Sequence, residues 1–203
     1  MKERPVLEAS LETSEALIDA LTSNEVLSNI PFVGTAFKIF KAAESVRDKA
    51  FAMKLERFAN PLSELSDDER QRFLEKLQQN QEEAKKVGET LFLVIDRLAD
   101  VDKPEILGLV FIAYLNESFP YSDLRLMSQA IDMSYAEDLG LLVNSESEPE
   151  QSKEDWMQRL ASAGLTKSIG GKAWNDSGEI YYQVTPLGNM LRNAYREVKQ
   201  RIG

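Results

Sequence analysis

The 203-residue sequence predicts a mainly helical protein, with an N-terminal helical bundle and a smaller C-terminal module that contains one β-hairpin. Three observations lead to this prediction. Apolar residues recur at steps of three and four along the first two-thirds of the chain, as on the buried face of a helix. Residues 106–115 are apolar on every face of a helix, which is typical of complete burial. Near the C-terminus, Ile180, Tyr182 and Val184 occupy alternate positions, as in a half-buried strand.

The first helices are predicted from apolar stripes and from the prolines that interrupt them. Residues 6–22 and 33–58 each place apolar side chains on one helical face. Pro31 separates the two segments, because the residue before a proline disfavours helical backbone. Asn60-Pro61 is expected to end the second helix, whose polar side is basic. That face is expected to be solvated, while a membrane-surface role remains an alternative.

Capping signals place the next helices. Ser66, with a glutamate three residues later, forms a capping box at a helix start. Whether 67–99 is one long helix or two is open, with Gly88 and the Gln/Asn-rich residues 78–81 as the candidate break. The helix that contains the fully apolar segment is expected to cover 104–118.

Capping serines and turn residues define the elements beyond residue 120. The expected elements are a helix capped by Ser122 that ends near Met133, a helix capped by Ser134 that runs through Val143, a helix over 153–163 capped by Ser152 and stopped by Gly164, strands over 166–169 and 180–184, and a final helix over 187–201 after Thr185-Pro186. Acidic residues 146–150 are expected to form an exposed loop.

Two phrases in this last region resemble those of winged-helix bacterial regulators. They are Leu160-Ala161-Ser162-Ala163-Gly164-Leu165 and, after the hairpin, the stretch from Tyr182 to Leu191 with its Thr-Pro-Leu-Gly sequence. The resemblance covers 121–203 and implies a winged-helix-like module in which 153–163 would enter the DNA major groove. The domains are therefore expected to be 1–120 and 121–203, and the stretch 30–58 is similar to uncharacterised bacterial and phage proteins.

Composition excludes several kinds of chemistry. The chain has 24 Lys plus Arg, 34 Asp plus Glu, a net charge of −10, no His and no Cys. Histidine- or cysteine-based nucleophilic sites, zinc fingers, iron–sulfur clusters and disulfides are thereby ruled out. The acidic groups Asp67-Asp68-Glu69 and Glu137-Asp138 stand at predicted helix starts, where capping accounts for them. We therefore predict no enzymatic activity, no cofactor and no metal site.

Charge also bears on whether the C-terminal module binds DNA. Residues 121–203 contain nine basic and twelve acidic side chains, although phosphate binding needs a positive surface. The candidate contacts for a partner or for DNA are Arg159, Lys167, Lys172, Trp174, Arg192 and Arg196. The candidate acidic surface is Glu146, Glu148, Glu150, Glu154 and Asp155.

These observations favour a non-enzymatic interaction protein of bacterial or phage origin. We expect it to bind a protein partner through the acidic surface or the winged helix, in a regulatory or anti-defence role, because a strongly acidic chain can imitate DNA. A homodimer is also open. The alternatives are a winged-helix DNA-binding transcriptional regulator and a membrane-associated effector that uses the basic face of 33–58. The acidic segment 101–150 is another candidate to pair with that face. The acidic N-terminus and the shortness of apolar residues 30–40 predict a cytoplasmic protein.

Overall fold

A computed structural model describes residues 46–145, 152–170 and 179–202. The described chain is mainly helical and contains one two-stranded antiparallel hairpin near its C-terminus, so the predicted fold class is confirmed. The chain divides into two compact units, Met1–Gly108 and Leu109–Gly203. The predicted helix over 6–22 and the first part of the helix over 33–58 lie outside the described residues.

Four of the helices that the structure describes begin in the first unit. They are α1 Val46–Ser63, α2 Asp67–Gln79, α3 Gln81–Arg97 and α4 Lys103–Leu115, and the division between the units falls within α4. The core of the first unit contains large apolar side chains with almost no exposed surface. They include Leu55, Phe58, Leu62, Phe73, Leu91, Ile95, Leu98 and Leu107. All ten residues from 106 to 115, including the glycine, are buried, as their apolar composition predicts.

Helix α1 runs through Pro61 to Ser63, so the prediction that Asn60-Pro61 ends the helix is wrong. Pro61 cannot donate to the Arg57 carbonyl, so it removes one backbone hydrogen bond near the end of α1 and leaves those before it in place. The Pro61 ring is buried, and its Cγ lies 3.4 Å from the position that a Cβ on Gly108 would occupy. The same Cβ would overlap the carbonyl oxygen of Phe58. Gly108 therefore allows the backbones of α1 and α4 to approach closely.

The basic side of α1 pairs with carboxylates and a carbonyl of its own unit. Arg47 Nη2 lies 3.2 Å from Asp96 Oδ2, and Lys54 Nζ donates to the Asp96 carbonyl at 2.8 Å. Arg57 lies 3.7 Å from Asp102, which belongs to the acidic segment predicted as a pairing candidate. Intramolecular partners thus account for three cations on the basic side of this helix, of which Arg47 is one of those that suggested a membrane-surface helix.

The break between α2 and α3 falls at Asn80, within the Gln/Asn-rich stretch, while Gly88 lies buried inside α3. The Asn80 side-chain oxygen accepts from the Glu83 N–H at 3.1 Å, as a helix N-cap does. The predicted capping box at the start of α2 is confirmed, because Ser66 Oγ accepts from the Glu69 N–H while the Ser66 N–H donates to the Glu69 carboxylate.

The second unit contains the remaining elements. They are α5 Tyr121–Met133, α6 Ala136–Asn144, α7 Asp155–Leu160 with a 3₁₀ turn over Ala161–Ala163, β1 Thr166–Gly170, β2 Ile180–Val184 and α8 Pro186–Ile202. The strands pair antiparallel from Thr166 opposite Val184 to Gly170 opposite Ile180. Ser152 forms a further bridge on the other side of β2, at Tyr182. The buried core includes Leu124, Met127, Ile131, Leu139, Leu142, Met157, Leu160, Leu191 and Val198.

The serine caps predicted for α5, α6 and α7 are wrong. Helix α5 begins one residue before Ser122, and α6 begins after Tyr135 without a side-chain cap. Ser134 Oγ instead donates to the Ala130 carbonyl at 2.7 Å, so this side chain ends α5 rather than starting α6. Ser152 Oγ accepts from the Glu154 N–H, and the helix, which is shorter than predicted, begins three residues after Ser152.

Helix α4 is also shorter than predicted, ending at Leu115 rather than near residue 118. Glu117 adopts a positive φ of 64°, which side chains other than glycine seldom take and which a helix cannot continue through. Its N–H donates to the Tyr114 carbonyl at 2.9 Å and closes the last turn.

The two phrases that carry the family resemblance contact each other. Gly164 takes the left-handed conformation, with φ at 74°, and stops the helical turn as predicted. Its carbonyl accepts from Thr185 Oγ1 at 2.6 Å, and that hydroxyl oxygen accepts from the Gly188 N–H at 3.1 Å. The Thr185 N–H donates to the Leu165 carbonyl at 2.9 Å. Thr185 therefore caps α8 and ties its start to the turn before β1.

Gly188 allows this contact, because a Cβ on it would overlap the Leu165 carbonyl oxygen and lie 2.7 Å from a Val184 methyl. We therefore predict that Gly188→Ala lowers the free energy of unfolding by about 1–3 kcal/mol, the usual cost of overpacking. Urea unfolding measures the change.

Gly140→Ala in α6 is the matched control, because a Cβ there meets nothing within 4 Å. Alanine favours a helix over glycine by about 0.5–1 kcal/mol, so this control is expected to be neutral or stabilising. Equal losses in the two variants would contradict the close approach at Gly188.

Candidate interaction surface

Arg159, a predicted contact residue, is held by a buried carboxylate of its own unit. Its Nε donates to Asp138 Oδ2 at 2.7 Å and its Nη2 donates to Asp138 Oδ1 at 2.6 Å. The Asp138 side chain is 2% exposed, whereas the Arg159 side chain is 47% exposed. These hydrogen bonds raise the pKa of the Arg159 guanidinium above its ordinary value. The positive charge of Arg159 is thus largely balanced by the negative charge of the Asp138 carboxylate.

Arg192 and Arg196, also predicted contacts, serve the packing of α8. Arg192 is 3% exposed and donates through Nη2 to Asn189 Oδ1 at 2.8 Å. Arg196 is half-buried, and its Nε donates to the Val143 carbonyl at 2.8 Å while its Nη2 donates to the Ser145 carbonyl. A cation at these last carbonyls of α6 is favoured by the helix dipole. Neither guanidinium is presented on an open face.

The structure describes only Lys167 among the remaining cationic and aromatic candidates. Lys167 is exposed on β1, and no ion pair joins it to the described residues. Lys172 and Trp174 lie outside the described residues. Among the candidates that the structure describes, the cations therefore do not converge on one positive face.

Two of the candidate acidic residues, Glu154 and Asp155, lie at the start of α7. Glu154 and Asp155 are both exposed, and the Glu154 carboxylate accepts from the Trp156 indole N–H. Asp155 is the first residue of α7, where the helix dipole favours a carboxylate. Glu146, Glu148 and Glu150 lie outside the described residues.

Exposed apolar and acidic side chains lie on or next to the two helices that carry the Arg159–Asp138 pair. Tyr135 and Asp155 both act electrostatically on Arg159, and α7 packs against α6. Tyr135 is 66% exposed and Leu141, one turn after Asp138 on α6, is 49% exposed. We call the exposed residues around the pair the α6–α7 surface; they are Tyr135, Glu137, Leu141, Glu154 and Asp155.

Sequence reasoning missed the role of Asp138 and the position of Lys153. The sequence predicts a first-turn acid at Asp138, but its carboxylate is buried, and both of its oxygens accept from Arg159, twenty-one residues later. Lys153 Nζ lies 2.7 Å from Glu179 Oε2 and 4.9 Å from the centre of the Tyr181 ring. Both contacts join segments far apart in the chain, so no local pattern indicates them.

The described residues contain no group of three or more acidic side chains placed to hold a metal ion. Asp67 and Asp68 are exposed at the start of α2, and Glu69 is part of the capping box. Over the parts of the chain that the structure describes, no helix combines the length and apolar character needed to cross a bilayer.

No protein-family model, no curated protein and no solved structure matches the chain.

Removal of the Arg159 guanidinium leaves the Asp138 carboxylate buried without its cation. We predict that Arg159→Met lowers the melting temperature clearly more than Arg125→Met, which removes an exposed arginine of α5. Thermal unfolding followed by circular dichroism measures both changes.

The double variant Asp138→Asn/Arg159→Met removes the buried charge together with its partner. It is expected to recover part of the loss, so the two single effects are not additive. Additive effects would show that the pair is not coupled.

The Lys153 contact predicts a pH dependence. Its hydrogen bond to Glu179 raises the pKa of Lys153 above the ordinary value of 10.5. A raised pKa in the folded state means that the contact stabilises the fold fully below the unfolded-state pKa and ceases to do so as pH rises through the folded-state pKa. The exposed pair contributes little, so the effect is small.

The measurement is the difference in melting temperature between the wild type and Lys153→Met from neutral to strongly alkaline pH. The difference is expected to shrink toward zero at the alkaline end, whereas Lys167→Met, which removes an exposed lysine of β1, shows no such trend. A difference that persists at high pH would contradict the contact.

Proposed function

We propose that this protein is a non-enzymatic interaction protein that binds a basic protein partner through the α6–α7 surface. The observation that supports the proposal most directly is the Arg159–Asp138 pair, in which the arginine is balanced by a buried carboxylate. The acids around the pair, Glu137, Glu154 and Asp155, are exposed. The surface therefore carries an excess of negative charge and is complementary to a basic partner.

Exposed apolar side chains support a protein rather than a small ion as the partner. Tyr135 and Leu141 are about half or more exposed. Tyrosine is enriched among the residues that contribute most to protein–protein binding, because its ring buries a large area and its hydroxyl still finds a polar partner. A central aromatic residue with a charged rim is the usual arrangement of such interfaces.

The placement of the arginines favours this proposal over DNA binding. A DNA-binding surface needs several cations free to neutralise phosphates. Arg159, Arg192 and Arg196 instead bind acceptors within their own unit. A regulatory or anti-defence role, in which the acidic surface competes with nucleic acid for a basic protein, belongs to the same proposal.

The first test measures DNA binding by fluorescence anisotropy with a labelled duplex. We expect the protein to show no salt-sensitive binding to the duplex. Such binding would be present at low salt and would weaken steeply as the salt concentration rises. A DNA-binding protein with six to ten phosphate contacts would lose about 10³–10⁵-fold in affinity between about 50 and 200 mM salt. Such a salt dependence, abolished by Lys167→Glu, would overturn the proposal.

The second test uses cross-linked capture from an extract of the source cells, quantified by mass spectrometry. A basic protein is expected to be captured by the wild type and by Glu197→Lys, a charge reversal on α8, but not by Glu154→Lys/Asp155→Lys. Capture that is equal in all three, or that recovers no basic protein, would contradict binding through the α6–α7 surface.

A further inference from the structure

We propose that Arg159 is itself a contact residue beside the α6–α7 surface, a role that rests on the function proposed above. Its outward N–H groups donate to free carbonyl oxygens at the C-terminal end of a helix in the basic partner. Three features carry this role: the way in which Asp138 holds the guanidinium, the acids near it, and the exposed ring of Tyr135.

Asp138 occupies only one edge of the Arg159 guanidinium. Nε and Nη2 donate to the two Asp138 oxygens at 2.7 Å and 2.6 Å, so the carboxylate lies along the edge that these two nitrogens form. Both donors of Nη1 and the second donor of Nη2 reach no acceptor within the described residues. We call the edge that Nη1 and Nη2 form the open edge, because Asp138 leaves it unused.

The exposure of the two side chains shows which part of the arginine faces solvent. The Arg159 side chain is 47% exposed, whereas the Asp138 side chain is 2% exposed. The exposed part of the arginine therefore lies on the sides away from the carboxylate. Because two charge-assisted hydrogen bonds fix the plane of the guanidinium, the donors of the open edge are already oriented. They consequently lose little freedom when a partner binds.

The charges near Arg159 favour a neutral acceptor over an anion. Asp138 balances the charge of the guanidinium, and Asp155 also acts on it electrostatically. Glu137 and Glu154 are exposed carboxylates at the starts of the same two helices. A phosphate or a carboxylate of the partner would be repelled by these acids, whereas a backbone carbonyl oxygen accepts a hydrogen bond without bringing a full negative charge.

The C-terminal end of a helix combines the groups that this surface can bind. Its last carbonyl groups have no partner inside the helix, and lysine or arginine is favoured in its last turn. The carbonyls match the open edge, and the cations match Glu137, Glu154 and Asp155. The N-terminal end of a helix presents N–H groups instead, which an arginine cannot accept. Tyr135, which is 66% exposed and acts electrostatically on Arg159, adds an aromatic ring beside the contact.

Two synthetic peptides of equal composition test the contact. Both are alanine-rich helices, stapled and capped at both ends, and they differ only in whether their lysines stand in the last turn or in the first turn. The acids of the surface attract both peptides, but only the first presents free carbonyls beside its cations. NMR titration of the intact protein measures the binding, with the Arg159 Nε–H and the backbone amides of α6 and α7 as reporters.

The wild type is expected to bind the first peptide about tenfold more tightly than the second, which is the effect of one hydrogen bond to a charged group. Arg159→Lys keeps a cation beside Asp138 but lacks the planar open edge, so it should bind the two peptides equally. Glu197→Lys, a charge reversal on α8, is the control and should keep the preference. Circular dichroism shows whether each variant folds.

Equal binding of the two peptides by the wild type would overturn the arginine contact, whether or not Arg159→Lys folds. If that binding is still lost in Glu154→Lys/Asp155→Lys, the acidic interface of the proposed function stands without it. Inorganic phosphate that shifts the Arg159 Nε–H more than the first peptide does would show that the open edge takes an anion, which also overturns the contact. Absence of binding by both peptides overturns it too, and the capture experiment then decides the proposed function separately.

Discussion

The second unit depends on the hydroxyl group of Thr185. This one oxygen donates to the Gly164 carbonyl and accepts from the Gly188 N–H, so it joins a left-handed helix stop to the first turn of α8. Each such hydrogen bond contributes about 0.5–1.5 kcal/mol net. The contact also fixes where β1 leaves the 3₁₀ turn and where β2 enters α8. The junction thus holds the turn that follows α7 against the start of α8, at the end of the hairpin where Thr166 faces Val184.

Two arginines of the second unit, like Thr185, also bind acceptors within that unit. A guanidinium has five donors in a rigid plane and suits either a phosphate or an internal acceptor. Here Arg159 binds a buried aspartate and Arg196 binds the last carbonyls of α6. Their charge therefore supports the packing of helices, and the outward face keeps the acids. This division is the physical basis of the proposed preference for a basic protein partner.

Local patterns predicted the elements well and long-range contacts poorly. The capping box at Ser66, the stop at Gly164 and the cap at Thr185 were correct, because each depends on residues that are close in sequence. The predicted Ser134 cap was wrong because this hydroxyl can either cap the helix that follows or donate to a carbonyl of the helix that precedes it. It donates to the Ala130 carbonyl of the preceding helix. The basic candidates could be named from sequence, but the burial of Asp138 and Arg192 depends on packing between helices, which no local spacing encodes.

The anchors on either side of residues 146–151 have an evolutionary consequence. Arg196 holds the Ser145 carbonyl before the segment, and the bridge to Tyr182 holds Ser152 after it. Because the entropy of holding two anchored points together depends only slowly on the number of residues between them, changes in the length of the chain between Ser145 and Ser152 are expected to cost the unit little. Selection can therefore change the length and charge of this segment while the helices and the hairpin stay as they are.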